Sequence, residues 1–72
     1  MSENICVRLG ARIRELRVEK GWRQVDLGQL AGIHAVHISA IERGATEIGF
    51  RHLAALATAL DVNLSVLVKD LS

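Results

Sequence analysis

A chain of 72 residues, half of them hydrophobic and with a net charge of +1, has material for one small core. The longest nearly apolar run, Leu53 to Leu60, is interrupted by Thr58 and is far too short to cross a bilayer. The start, Met-Ser-Glu-Asn, lacks the basic and apolar stretches of a secretory signal, and the lone Cys6 forms no internal disulfide, so a reducing cytoplasm is the expected setting.

Trp22 and Phe50 are the only aromatic residues, so the core must be aliphatic; proline is absent, which favours helix throughout. No repeat, linker or low-complexity stretch divides the chain, so a single domain over residues 1–72 is expected, with its core at about 6–71. Helix 1 is expected from about Cys6 to Glu19. It buries Leu9, Ile13 and Leu16 at i, i+4 and i+7, with Cys6 as a small hydrophobe and Gly21 closing the helix. Arg8, Arg12, Arg14, Arg17, Lys20 and Arg23 fall between positions 8 and 23 against only Glu15 and Glu19, a local excess suited to a positive face.

Helix 2 is expected over about Gln24–Ala31 and helix 3 over about Ala35–Arg43, ended by Gly44. Gly28 leaves room for the second helix to approach the first, and Gly32 supplies the left-handed residue that ends helix 2. Ile38 and Ile41 then face Leu27 and Ala31 at helical spacing. The segment 24–43 therefore reads as a helix-turn-helix, the arrangement that places its second helix against DNA. Helix 4 follows over about Phe50–Leu60, with Phe50, Leu53, Leu56, Ala57 and Leu60 on one face. A last helix begins after Asn63 and carries Leu64, Leu67, Val68 and Leu71.

One spacing supports the last four boundaries. A hydrophobic residue just before a cap packs on another five positions later, and the pairs here are Trp22 with Leu27, Ile33 with Ile38, Ile48 with Leu53, and Val62 with Leu67. The fold class is all-α, with five helices. Asn63 is a strong cap and Gly49 an acceptable one, but Arg23 and His34 are poor ones. The expectation is that Arg23 and His34 trade local stability for contact with phosphates at helix N-termini.

The stretches Leu9-Gly-Ala-Arg-Ile-Arg-Glu-Leu-Arg17, Trp22-Arg-Gln-Val-Asp-Leu27, Leu30-Ala-Gly-Ile33, Ile38-Ser-Ala-Ile-Glu-Arg-Gly44 and Leu53 to Val62 resemble, in order and spacing, the lambda-repressor-like family. That family includes phage repressors, Cro proteins and small bacterial regulators, and the length invites comparison with restriction-modification controller proteins. The resemblance implies a five-helix bundle in which helices 2 and 3 read DNA. It implies that Gln24 binds a phosphate and braces the recognition helix, that Arg17 and Glu42 form a salt bridge tying helix 1 to helix 3, and that Arg43 meets the DNA backbone. Phosphate contacts are thus expected from Arg17, Arg23, Gln24, His34, Arg43 and Arg51.

Base reading is expected from Ala35, Val36, His37, Ser39 and Ala40. Here the sequence departs from the commoner Arg, Gln, Thr or Tyr: Ala and Val make no bidentate hydrogen bonds, though they can meet the thymine methyl. Modest direct specificity or dependence on DNA shape is expected, and a form that has lost DNA binding stays open. His34, His37 and His52 have no clustered cysteine or acidic pair beside them, so no metal, cofactor or small-molecule ligand is expected. The staple assigns Trp22 to the core rather than to base stacking, and no nucleophile elbow accompanies Ser39, so no enzyme activity is expected.

One recognition helix covers few base pairs, so a homodimer on a palindromic operator of double-stranded DNA is the expected working form. Ala55, Ala59, Val66 and Leu71 are the expected dimer surface, Ala54 and Thr58 adding to the smooth exterior of helix 4. The alternative is an antitoxin-type or other protein-interaction module on the same fold.

Overall fold

The computed structural model describes residues 4–71. Five helices run in the order α1 (Ile5–Glu19), α2 (Gln24–Ala31), α3 (Ala35–Glu42), α4 (Phe50–Ala59) and α5 (Leu64–Val68), and no strand occurs among the described residues. The central helix, α3, packs on both α1 and α2; α2 also meets α4, and α5 bridges α1 and α4. The core between them is aliphatic, as the two-aromatic composition requires: Ile13, Leu27, Ile38, Leu56 and Leu67 expose no surface. Trp22, Ile48, Leu53 and Val62, the outer members of the expected staples and their partners, pack against that core half-buried.

The turn between α2 and α3 follows from two glycines. Gly32 takes φ 71°, a left-handed conformation that a side chain would strain, and its N–H bonds back to the Gly28 carbonyl. A Cβ on Gly28 would overlap the Ile33 carbonyl oxygen, so only glycine lets the chain double back this tightly. Three residues, Gly32 to His34, then suffice to redirect the chain.

Helix ends depart slightly from expectation. The Asn4 side chain accepts the Cys6 N–H at 2.7 Å, so α1 begins at Ile5, one residue early. In turn α3 stops at Glu42 and α4 at Ala59, each one residue short, their last N–H bonds made by Arg43 and Leu60 as caps. Asn63 caps α5 only through its backbone carbonyl, which accepts from Val66 and Leu67; its side chain makes no cap bond.

Two placements correct the reading of the sequence. Phe50 was expected on the inward face of α4 but is 74% exposed. At 3.6 residues per turn it lies roughly 70° from the centre of the stripe formed by Leu53, Leu56, Ala57 and Leu60, and it opens the helix where no element covers it. Leu71 was expected at a dimer surface but is buried, 6% exposed, in the subunit's own core. The cause is a clamp from α1: Arg8 donates to the carbonyls of Asp70 and Leu71, and Arg12 to those of Val66, Leu67 and Lys69. These guanidinium groups satisfy the open carbonyls at the C-terminal end of α5 and draw the following residues onto α1.

The weak cap at Arg23 is repaired from within α2. Asp26 accepts the Arg23 backbone N–H at 2.8 Å and the guanidinium through both carboxylate oxygens. The guanidinium bond first, then the backbone N–H, lowers the Asp26 pKa below the usual carboxylate value. A carboxylate lowered on folding stabilises above its unfolded pKa, and that contribution disappears as pH falls through the lowered value. Asp26→Asn should therefore lower Tm modestly at neutral pH, with a deficit that shrinks as pH falls below the usual carboxylate range. Calorimetry across pH 2 to 7 checks this, and an Asp26→Asn deficit that stays constant with falling pH would contradict it.

Candidate nucleic-acid interface

The C-terminal end of α3 is anchored by polar bonds, while Val36 in its first turn is exposed. Glu42 closes α3, where a carboxylate opposes the helix dipole and would be costly alone. Its partner comes from α1: Arg17 Nε donates to Glu42 Oε2 at 2.7 Å and Nη2 to Oε1 at 3.0 Å, with side chains 10% and 2% exposed. The third arm, Nη1, donates to the Trp22 carbonyl at 2.7 Å, and Gln24 Nε2 adds a bond to Glu42 Oε1 at 3.1 Å. One buried node thus fixes α1, the start of α2 and the end of α3 to each other. The hydrogen bond to Glu42 raises the Arg17 pKa against the opposing effect of burial, so the guanidinium stays charged. The two backbones also touch nearby: a Cβ on Gly10 would overlap the carbonyl oxygens of Ile41 and Glu42.

At the other end of α3, Val36 is 79% exposed and Ala35 and Ala40 are half-buried. His37 and Ser39 are half-buried too, and the His37 ring packs edge-on against His52 of α4 with centroids 5.0 Å apart and planes at 74°. The polar side chains expected to read bases are therefore partly committed, and the outward surface is chiefly apolar.

Exposed basic side chains stand at both ends of α3. His34 is exposed at the N-cap of α3, Arg43 at its C-cap with Nε donating to the Ser39 carbonyl at 3.3 Å, and Arg51 in the first turn of α4. Arg23 is exposed beside Asp26, which offsets part of its charge. The basic cluster of positions 8–23 does not form one positive face. Arg8, Arg12 and Arg17 bond inward, leaving Arg14, Arg23 and Lys20 exposed, the last with Nζ 5.2 Å from the Trp22 ring centroid. Arg17, expected also at a phosphate, has all three guanidinium nitrogens engaged within the protein.

Of the surface expected for pairing, Ala55 and Ala59 are half-buried and Val66 is exposed, while Leu71 is not available. Sequence reading missed Phe50 and Val68 as exposed apolar groups, the Arg8 and Arg12 clamp, and Asp26. Only Asp26 carried a local signal, an acid at the third position of its helix. No group of three or more His, Cys, Asp or Glu that could hold a metal occurs among the described residues, and no described helix is long and apolar enough to cross a membrane.

Comparison with known proteins gives this geometry a context. A helix-turn-helix family model matches residues 13–67. A transcription factor of Neisseria meningitidis serogroup B, named there as hypothetical, is 35% identical over 54 residues, covering 75% of this chain and 51% of its own. The chain spans about half the length of that curated relative. The restriction-modification controller protein C.AhdI from Aeromonas hydrophila superposes with a TM-score of 0.84 at 37% identity, over 86% of this chain and 94% of the controller. The P22 c2 repressor protein, solved in complex with synthetic operator 9T, does so with a TM-score of 0.79 at 39% identity, over 85% and 92% of the two chains.

Truncating one side of the buried node leaves the other charge unpaired, which typically costs about 3–5 kcal/mol. Glu42→Ala and Arg17→Ala should each lower the unfolding free energy by about 3 kcal/mol, and the double variant by clearly less than the sum. Urea denaturation measures all three, with Glu42→Gln as a milder variant should Glu42→Ala not fold; strict additivity would show that the pair is not coupled.

Proposed function

The chain belongs to the Cro/C1-type helix-turn-helix family, whose members are DNA-binding regulators rather than enzymes, and on that footing we propose that it regulates transcription as a homodimer on a palindromic operator. The observation that carries the proposal is the mounting of α3: locked at Glu42, open at Val36, with His34 exposed at its N-cap and Arg43 at its C-cap. In this reading α3 enters the major groove of duplex DNA with Ala35, Val36, His37, Ser39 and Ala40 toward base edges. Arg23, His34, Arg43 and Arg51 meet phosphates, joined by Gln24, whose amide keeps one N–H beyond its bond to Glu42. These contacts set register, and no covalent chemistry follows; the bound protein occludes or recruits polymerase.

Pairing supplies the affinity that one short helix lacks. Two copies reading half-sites about one turn, ~34 Å, apart gain through linkage. Ala55 and Ala59, about one turn apart on α4, with Val66 on α5, 43% exposed, supply the apolar groups that support a symmetric dimer. The Arg8 and Arg12 clamp holds α5 in place to present Val66.

Selection of bound duplexes from a random library, repeated at two salt concentrations, tests the reading. An inverted repeat should emerge, and Arg23, Arg43 and Arg51 in two subunits should give a log–log salt slope of about −5. Sedimentation at tens of micromolar should show a dimer. Absence of any enriched sequence would contradict operator binding, and a monomer at that concentration would contradict the homodimer.

A further inference from the structure

Between Ala35 and Ala40 only His37 and Ser39 carry polar side-chain atoms. A serine hydroxyl rotates and serves as donor or acceptor, so it meets any base without choosing. Hydrogen-bonded choice between bases therefore falls to the imidazole of His37. No hydrogen bond to a described residue holds that ring, and no buried side-chain nitrogen or oxygen lacks a partner, so its nitrogens stay at the surface.

An imidazole without hydrogen bonds needs another constraint on its plane, because the torsion about Cβ–Cγ is broad. A second helix supplies one. His52, the third residue of α4, is half-buried and meets His37 edge-on, with centroids 5.0 Å apart and planes at 74°. Edge-on packing of aromatic rings has a preferred geometry and resists rotation of either partner. α4 is seated independently of α3: Leu56 and Leu60 are buried in the core, and the helix packs on α2 and α5. We propose that His52 is a positioning residue for base reading, its ring setting the plane of the His37 imidazole and so deciding which base pair His37 accepts in each half-site. The proposal rests on the DNA-binding reading above and names what fixes specificity on a helix face poor in polar atoms. His52 touches no base itself and acts through His37. Without that support the imidazole turns to suit other bases and is ordered only on binding, which costs about fivefold in preference per half-site.

The test starts from the strongest duplex recovered by random selection, with each base pair varied in turn, symmetrically in both half-sites. His37→Ala identifies the position that His37 reads, as the one where preference is lost. His52→Ala should flatten preference at that same position, by about fivefold per half-site and about 25-fold over two, and leave the other positions and the salt slope unchanged. His52→Phe, which keeps an aromatic edge, should restore the preference. Removing both rings should do no more than removing His37 alone. Should His52→Ala not fold, His52→Gln, polar but without a ring, takes its place. Preference that survives in His52→Ala, an equal loss on every sequence, no rescue by His52→Phe, or a double variant worse than His37→Ala each overturns the proposal and leaves DNA binding standing. So does a His37→Ala protein whose preferences match the wild type. Failure of the wild type to bind any duplex removes both readings.

Discussion

The buried contact between Arg17 and Glu42 is the constraint on which the rest of the structure depends. A carboxylate at the last residue of α3 is unfavourable by itself, because the helix dipole places negative charge there. Brought beside the guanidinium of Arg17 and the amide of Gln24, it joins three helices at one point. Nearby apolar packing of Ile38 and Ile41 gives α3 its stability, but hydrophobic contact is indifferent to small rotations. A bidentate ion pair is not, and it fixes the direction in which α3 points. Removal of an arginine from the pool of exposed cations is the accompanying cost, since Arg17 is buried with three of its five N–H groups committed within the protein.

A similar exchange operates at the far side of the bundle. Arg8 and Arg12 turn inward to the carbonyls of residues 66–71, so a run of charges that looks like a nucleic-acid surface instead closes a five-residue helix too short to persist alone. What remains outward is a small number of basic side chains, Arg43 and Arg51 among them, and separate exposed apolar residues on α4 and α5.

Much of the fold was legible because its signals are local. The period of Leu9, Ile13 and Leu16, the five-residue pairs around each cap and the glycines at positions 28 and 32 gave all five helices and the sharp turn, with ends within a residue except in α5, which stops at Val68 although Leu71 was expected on it. Phe50 was misplaced because residue type was allowed to outweigh helical angle: a large hydrophobe was taken for core although it stands off the stripe. The roles of Arg8 and Arg12 were hidden for another reason. Their acceptors are backbone carbonyls more than fifty positions away, and no side-chain pattern records them. The link between Arg17 and Glu42, 25 positions apart, was reachable through family resemblance alone. At the DNA-facing end, sequence identified the surface residues of α3 but not that His37 leans on His52, because such a contact depends on how α4 crosses α3.

Titration of ¹⁵N-labelled protein with a selected duplex at constant salt, followed through backbone amide shifts, tests the central claim most directly. An anchored α3 that delivers its N-terminal half to the major groove predicts the largest changes at Gln24, across residues 34–40 and at Arg43. Changes confined to α4 and α5, with α3 silent, would contradict it.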